Sequence, residues 1–298
     1  MTTEPKNSEP ERVAYNYCVS FVDLLGQRDA LQGQGLLIQP QTEDDRKAFH
    51  SIFKNSIGAI TALQERAEAM LEPLLNPDPN SSQRASLPPE QRTTWDEMMR
   101  THLTTQRWSD GLVSFACLGD ANVKCKVNGV SAIFYLAGAL CLVGLATGHP
   151  IRGAIEIAWG VELHPGELYG PAVARAYELE SEVAQYPRIV VGPETVRFLQ
   201  AHAANTAEDV FSQTDREWAS RCLDMLVQDA DGHWLLHYLG EKFQFAVTRG
   251  QHEELYKDAR QFVQDQLALH QHRQNSKLAF RYSHLLLYFN AHPPAVPR

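Results

Sequence analysis

Basic residues are in short supply. Lys and Arg number 27 against 36 Asp and Glu, which leaves a formal charge of −9 over 298 residues and a pI of about 5.7. Grip on a nucleic-acid backbone needs dense Lys/Arg patches, so this balance excludes a general nucleic-acid binder. Cysteine is used sparingly: Cys18, Cys117, Cys125, Cys141 and Cys222. The number is odd, no CxxC pair occurs, and Cys117 and Cys125 lack the His and Cys neighbours of a zinc site. A disulfide framework is therefore excluded, and buried free thiols in a reducing compartment are expected. The first twelve residues, MTTEPKNSEPER, have no apolar signal core, so a cytoplasmic protein with a disordered leader over 1–12 is expected. Internal repeats are absent.

What is present is a 44% hydrophobic composition, enough for a sizeable core. The length allows one large domain with an appendage. One apolar run is conspicuous. No Asp, Glu, Lys or Arg occurs from Val127 to Ile151, and Val130 to Thr147 is long enough to cross a bilayer. Gly129, Gly138, Gly144 and Gly148 interrupt it, no Trp borders it, and Tyr135 lies in its middle. It reads as a buried helix packed across a sheet.

Val13–Leu25 is rich in β-branched and aromatic residues and predicts a strand that Gly26 breaks, with a short polar turn and helix after it. Phe49, Ile52, Phe53, Ile57, Ile60 and Leu63 carry helical spacing within Glu43–Leu75. Residues 76–90, with Pro77, Pro79, Pro88 and Pro89, read as a flexible surface insertion. Asp110-Gly111 is a turn dipeptide between two strand-like runs, a hairpin signal. After the apolar helix, IRGAIEIAWG and VELHPGELYG read as adjacent strands separated at Gly160. Next come a helix opened by Pro171, a strand at RIVVG, a helix over Pro193–Ala204, a hairpin around Asp231-Gly232, and a helical tail. The order predicts an α+β fold with a ferredoxin-like βαββαβ palm, its mixed sheet covered by helices. The domain would run over 13–246, and a helical extension over 247–298.

Two carboxylates stand out by position. Asp23 ends an apolar strand in FVDLLG, and Asp110 tips a hairpin. Either alone fits a cap or turn residue. In a palm, however, the first strand lies beside the central hairpin, and converging carboxylates repel unless a cation sits between them. Oxygen ligands of this kind suit Mg²⁺ or Mn²⁺, which also bridge triphosphates. Gly26, at the strand-to-helix turn, lets backbone N–H groups approach a phosphate.

FVDLLG resembles the first-strand metal motif of class III nucleotide cyclases, and RWSDGLVSF resembles the hairpin with their second metal aspartate. IRGAIEIAWG is similar to the strand after their long apolar helix, and GELYGPAVARAYELES to their dimer-interface motif. The motifs occur in family order over about 13–195. The details are most similar to the pyrimidine nucleotide cyclases of the bacterial Pycsar anti-phage system, which share the FVDLLGQRDAL opening, the SDGLV hairpin and a helical tail. The resemblance implies a palm fold and a homodimer with sites at its interface. It also implies conversion of UTP to 3′,5′-cyclic UMP and diphosphate, a second messenger read by a cyclic-nucleotide-binding effector. The alternatives are cyclic CMP from CTP, or a degenerate nucleotide-binding relative. Two divalent cations, Mn²⁺ or Mg²⁺, would be held at Asp23, Leu24 and Asp110. The nucleotide would meet Leu25, Gly26, Gln27, Arg28, Gln106 and Glu167. Gln106 stands where the family's adenine-selecting lysine is usual, and Glu167 where its selecting aspartate or cysteine is. Ala174 and Glu178 replace the transition-state asparagine and arginine. Arg175 is the substitute candidate for catalysis, since a guanidinium suits phosphate, although an ion pair would explain it equally well. Arg28 also fits a solvated helix residue, Trp108 a core residue, and Arg152 a structural ion-pair partner.

Overall fold

A computed structural model describes residues 12–26, 42–75, 79–247 and 252–294. The expected leader, apart from Arg12, and the turn and helix after Gly26 lie outside the described residues. Strand β1, Tyr15–Leu24, is built from residues that favour a pleated, buried surface. Its side chains alternate between two cores. Cys18, Val22 and Leu24 enter the larger one, while Tyr17, Val19 and Phe21 enter a second on the opposite face. Burial on both faces makes β1 the centre of the molecule.

β1 pairs antiparallel with β3, Gly111–Cys117, on one side and β4, Ile151–His164, on the other. Strand β2, Leu103–Trp108, pairs antiparallel with β3 outside it. Helix α1, Glu43–Leu75, lies between β1 and β2 in the chain, followed by the short α2, Ser82–Ala85, and α3, Pro89–Met99. Helix α4, Lys126–Ala146, joins β3 to β4. The strand order β2-β3-β1-β4 with these crossovers is the expected βαββαβ palm. Strand β5, Glu167–Tyr169, folds back on β4, and helix α5, Pro171–Glu178, follows and ends in a π turn, Leu179–Val183. β6, Ile189–Val191, pairs parallel with β4 and so makes the sheet mixed. After helices α6, Pro193–Ala203, and α7, Val210–Asp224, the hairpin β7–β8, Leu226–Gln228 and Trp234–Leu236, completes the far edge. The short α8, Glu241–Val247, leads to α9, His252–His272, and α10, Ser276–Ala291.

The apolar run is α4. Most of its surface is covered by the sheet and by α1, α7 and α9, and 78% of its most apolar window is buried. Gly138 explains some of the glycine content. A Cβ there would come within 2.4 Å of the Phe243 ring, so its absence lets α8 lie against α4. All five cysteines are free and buried, and burial pushes the Cys141 and Cys222 thiols up to about 12.

The structure differs from the sequence reading, or adds to it, at four places. Gly160 does not separate a pair of strands: β4 runs through it, and the reversal falls at Pro165-Gly166, where Gly166 has φ +81. The Asp110-Gly111 hairpin has Ser109 and Asp110 as its loop, because Trp108 already pairs with Gly111. The described portion of the Pro-rich stretch holds one short helix and the start of another between turns, since Ser81 caps α2 and proline occupies the first turn of α3. Helix α7 was not anticipated, because it buries only Asp215, Ala219 and Cys222 and so carries little apolar periodicity. Asp209 caps it, and its Asp215 accepts the Lys126 and Val127 N–H groups at the start of α4.

Candidate active site

The ends of β1 and β4 and the β2–β3 hairpin meet at one end of the sheet. Asp23 stands opposite Gly111 on one side and Arg152 on the other. The Leu24 N–H donates to the Asp110 carbonyl at 3.3 Å, which ties the hairpin loop to the first strand. Two backbone features hold that loop. Ser109 has φ +53, a conformation that costs a non-glycine residue energy and recurs at functional sites. Gly111 is needed for close approach, because a Cβ there would lie 2.9 Å from the Val22 carbonyl.

Asp23 projects from the same face of β1 as Phe21, the face covered by α5. Burial, reinforced by the Asp110 charge, pushes its carboxyl up from 3.8 to about 6, against the opposing pull of Arg152 and the Leu24 N–H. The Arg152 Nη2 lies 3.7 Å from the Asp23 Oδ2, and its Nε forms an ion pair with Glu180 Oε1. Glu180 is 1% exposed, and burial raises it to about 7 although Arg152 favours its charge. Asp23 and Glu180 thus share one guanidinium, and both feel the Asp110 charge. Glu180 was missed as a site residue in the sequence. The signal was there: Ala172, Val173 and Ala176 form the buried stripe of α5, and Glu180 continues it at the next turn.

Among the described residues, no group of three or more His, Cys, Asp and Glu side chains could enclose a metal ion. A Mg²⁺ or Mn²⁺ site needs less protein than that, one or two carboxylates with phosphate and water completing the shell. Asp23 and Asp110 fit this requirement, because burial and the Asp110 charge leave Asp23 short of a compensating cation.

The remaining sequence candidates are spread more widely. Leu24, Leu25 and Gly26 follow Asp23 directly, and Gly26 has φ +91 with open space where a side chain would be. Gln27 and Arg28 lie outside the described residues. Gln106 is half-buried, and its buried carbonyl oxygen has no partner among the described residues. Trp108 is not a core residue. It is 50% exposed and packs its edge on Phe21, which also meets Tyr177. Glu167 is exposed and pairs with His164 at the end of β4 opposite to Arg152, so one copy of the chain does not bring it to Asp23. Arg175 is exposed on α5, as are Ala174 and Glu178, while the buried stripe of that helix faces the sheet.

No family model matches this chain, and no curated protein does. A solved structure to which it is similar is the adenylyl cyclase CyaB from P. aeruginosa, at 13% identity, covering 64% of this chain and 84% of that one, with a TM-score of 0.37.

Proposed function

We propose that this protein is a divalent-metal-dependent nucleotide cyclase that converts UTP to 3′,5′-cyclic UMP and diphosphate. The observation that carries the proposal is the meeting of Asp23 and Asp110 at the end of a βαββαβ sheet, where burial and the Asp110 charge both raise the cost of ionising Asp23. Asp23, Asp110 and the main chain at Leu24 would hold Mn²⁺ or Mg²⁺, which would polarise the α-phosphate and neutralise the departing charge. The chain's own role is positional. Its carboxylates fix where the triphosphate sits, and the Leu25–Gly26 turn leaves backbone room for phosphate oxygens. The ribose 3′-oxygen attacks the α-phosphorus in line, its proton passes to solvent, and the bond to the β-phosphate oxygen breaks.

The choice of a pyrimidine rests on Gln106, a neutral amide with an unmatched carbonyl oxygen on the Trp108 strand. The choice of uracil rests on Glu167 being the one obvious acidic acceptor for the cytosine amine and standing, within one copy, at the far end of β4. Glu167 and Arg175 would reach a site only from a second copy. The half-exposed rings of Trp108 and Tyr177, flanking Phe21, are an apolar surface suited to that contact. A signalling role in anti-phage defence follows from the motif resemblance. A second reading, nucleotide binding without turnover, is favoured by Ala174 and Glu178, which cannot replace a transition-state asparagine and arginine.

Incubation with each of the four ribonucleoside triphosphates and Mn²⁺, with product identification, decides among these. Cyclic UMP alone is expected. A cyclic product from CTP moves the assignment to that substrate. Calorimetric binding of nucleotide with no cyclic product from any of the four supports the second reading.

A further inference from the structure

In this acidic chain a cleft lined by two arginines has no carboxylate among its described lining residues. It has a volume of about 310 Å³, the low end of the range of small-ligand pockets. One wall is Leu25 and Gly26, the turn that leaves the Asp23 strand; the opposite wall is the α9–α10 pair, which contributes Arg273 and Arg281. Among the described residues neither guanidinium has an ion-pair partner. Arg281 donates only to the neutral Gln185 Oε1, at 2.5 Å, and Arg273 is exposed. Arg281 also feels the positive charge of Arg152, which is within 3.7 Å of Asp23.

We propose that this cleft holds the terminal phosphates of the nucleotide, and the diphosphate they become, with Arg281 and Arg273 as its cations. The inference rests on the proposed cyclase activity and adds to it what the helical extension contributes. The guanidinium fork matches phosphate oxygens in geometry and charge. The open turn at Gly26 leaves space on the side where the Asp23 strand ends. The extension would thereby supply in cis the cationic charge that Ala174 and Glu178 do not.

The test is calorimetric titration of the full chain with inorganic diphosphate in EDTA, so that metal is excluded. Wild type is compared with Arg273→Gln, Arg281→Gln, the double variant and Arg281→Lys, each first shown to melt with the wild-type protein. The double variant should bind diphosphate at least about tenfold more weakly, each single Gln variant should lose less than the double, and Arg281→Lys, which keeps the charge but not the fork, should fall between wild type and Arg281→Gln. Unchanged affinity in the double variant overturns the proposal, as does a wild-type chain that binds UTP but not diphosphate. A chain that cyclises no nucleotide yet loses diphosphate binding in the double variant sinks the cyclase reading and keeps the cleft.

Discussion

At the scale of single residues, Asp23 is held where its charge is unwelcome. Its folded-state value of about 6 lies above the ordinary 3.8, so between these limits the folded protein retains a proton that the unfolded chain has released. Stability of the metal-free protein therefore falls as pH rises from about 4 to about 6, and Glu180, raised to about 7, extends the fall by a further unit. Burial that lowers His237 to about 4 works against this trend on the acid side, so the carboxyl contribution is read as the difference between wild type and Asp23→Asn in melting curves in EDTA at pH 4.5 and pH 7.5. Asp23→Asn should flatten this dependence and raise the midpoint at pH 7.5, and Mn²⁺ should raise it for wild type alone. Turnover should move in the opposite direction. Asp23→Asn and Asp110→Asn are each expected to lower kcat by about two to three orders of magnitude with the far-ultraviolet spectrum unchanged. A site residue that weakens the empty fold is the usual cost of a preorganised centre.

At the scale of elements, α4 shows how tightly neighbouring helices constrain one another. Gly138→Ala would drive a methyl group into the Phe243 ring, and is expected to lower stability by about 1–3 kcal/mol in a denaturant titration. The same packing argues against an independent tail. Ala259 and Val263 of α9 and Leu285 and Phe289 of α10 belong to the core that contains α4. A chain truncated after Val247 should be insoluble or lack a cooperative transition by circular dichroism. Much of this was legible in sequence. The bounds of α1, the hairpins and the apolar helix follow from periodicity and turn residues that local structure obeys. Helix α7 was hidden because its buried side is small and polar, with Asp215 serving α4 rather than its own helix. The unbroken β4 was hidden because Gly160 looks like a breaker, whereas the Leu168 side chain and the Tyr169 backbone fill the space where its side chain would be. Asp23 and Asp110 could be paired from motif order. Glu180 was legible only as the continuation of the buried stripe of α5, and its approach to Arg152 through the π turn was not; the approach of Arg281 depends on a distant helix pair that leaves no local pattern.

At the scale of the whole molecule, two faces of one sheet have different duties. The face under α4 is closed by helices, so the run that resembles a membrane span is already covered by protein. The full chain is expected in the supernatant after high-speed centrifugation without detergent. On the other face α5 leaves some of the sheet uncovered, and Trp108 and Tyr177 remain half exposed. If a second copy completes the site there, Tyr177→Arg should shift the protein towards monomer in light scattering, and turnover should fall with the dimer fraction.

The central position of β1 also has a consequence for synthesis. The strand that carries Asp23 leaves the ribosome well before both its neighbours, since β3 and β4 lie far downstream in the chain. At roughly 5–20 residues per second, β1 waits on the order of ten seconds for β4 to emerge. During that interval an apolar ribbon with two open edges is free to pair with other chains. Yield of soluble protein should therefore depend on translation speed and on chaperones that shield the nascent N-terminal segment, more than on the stability of the finished fold.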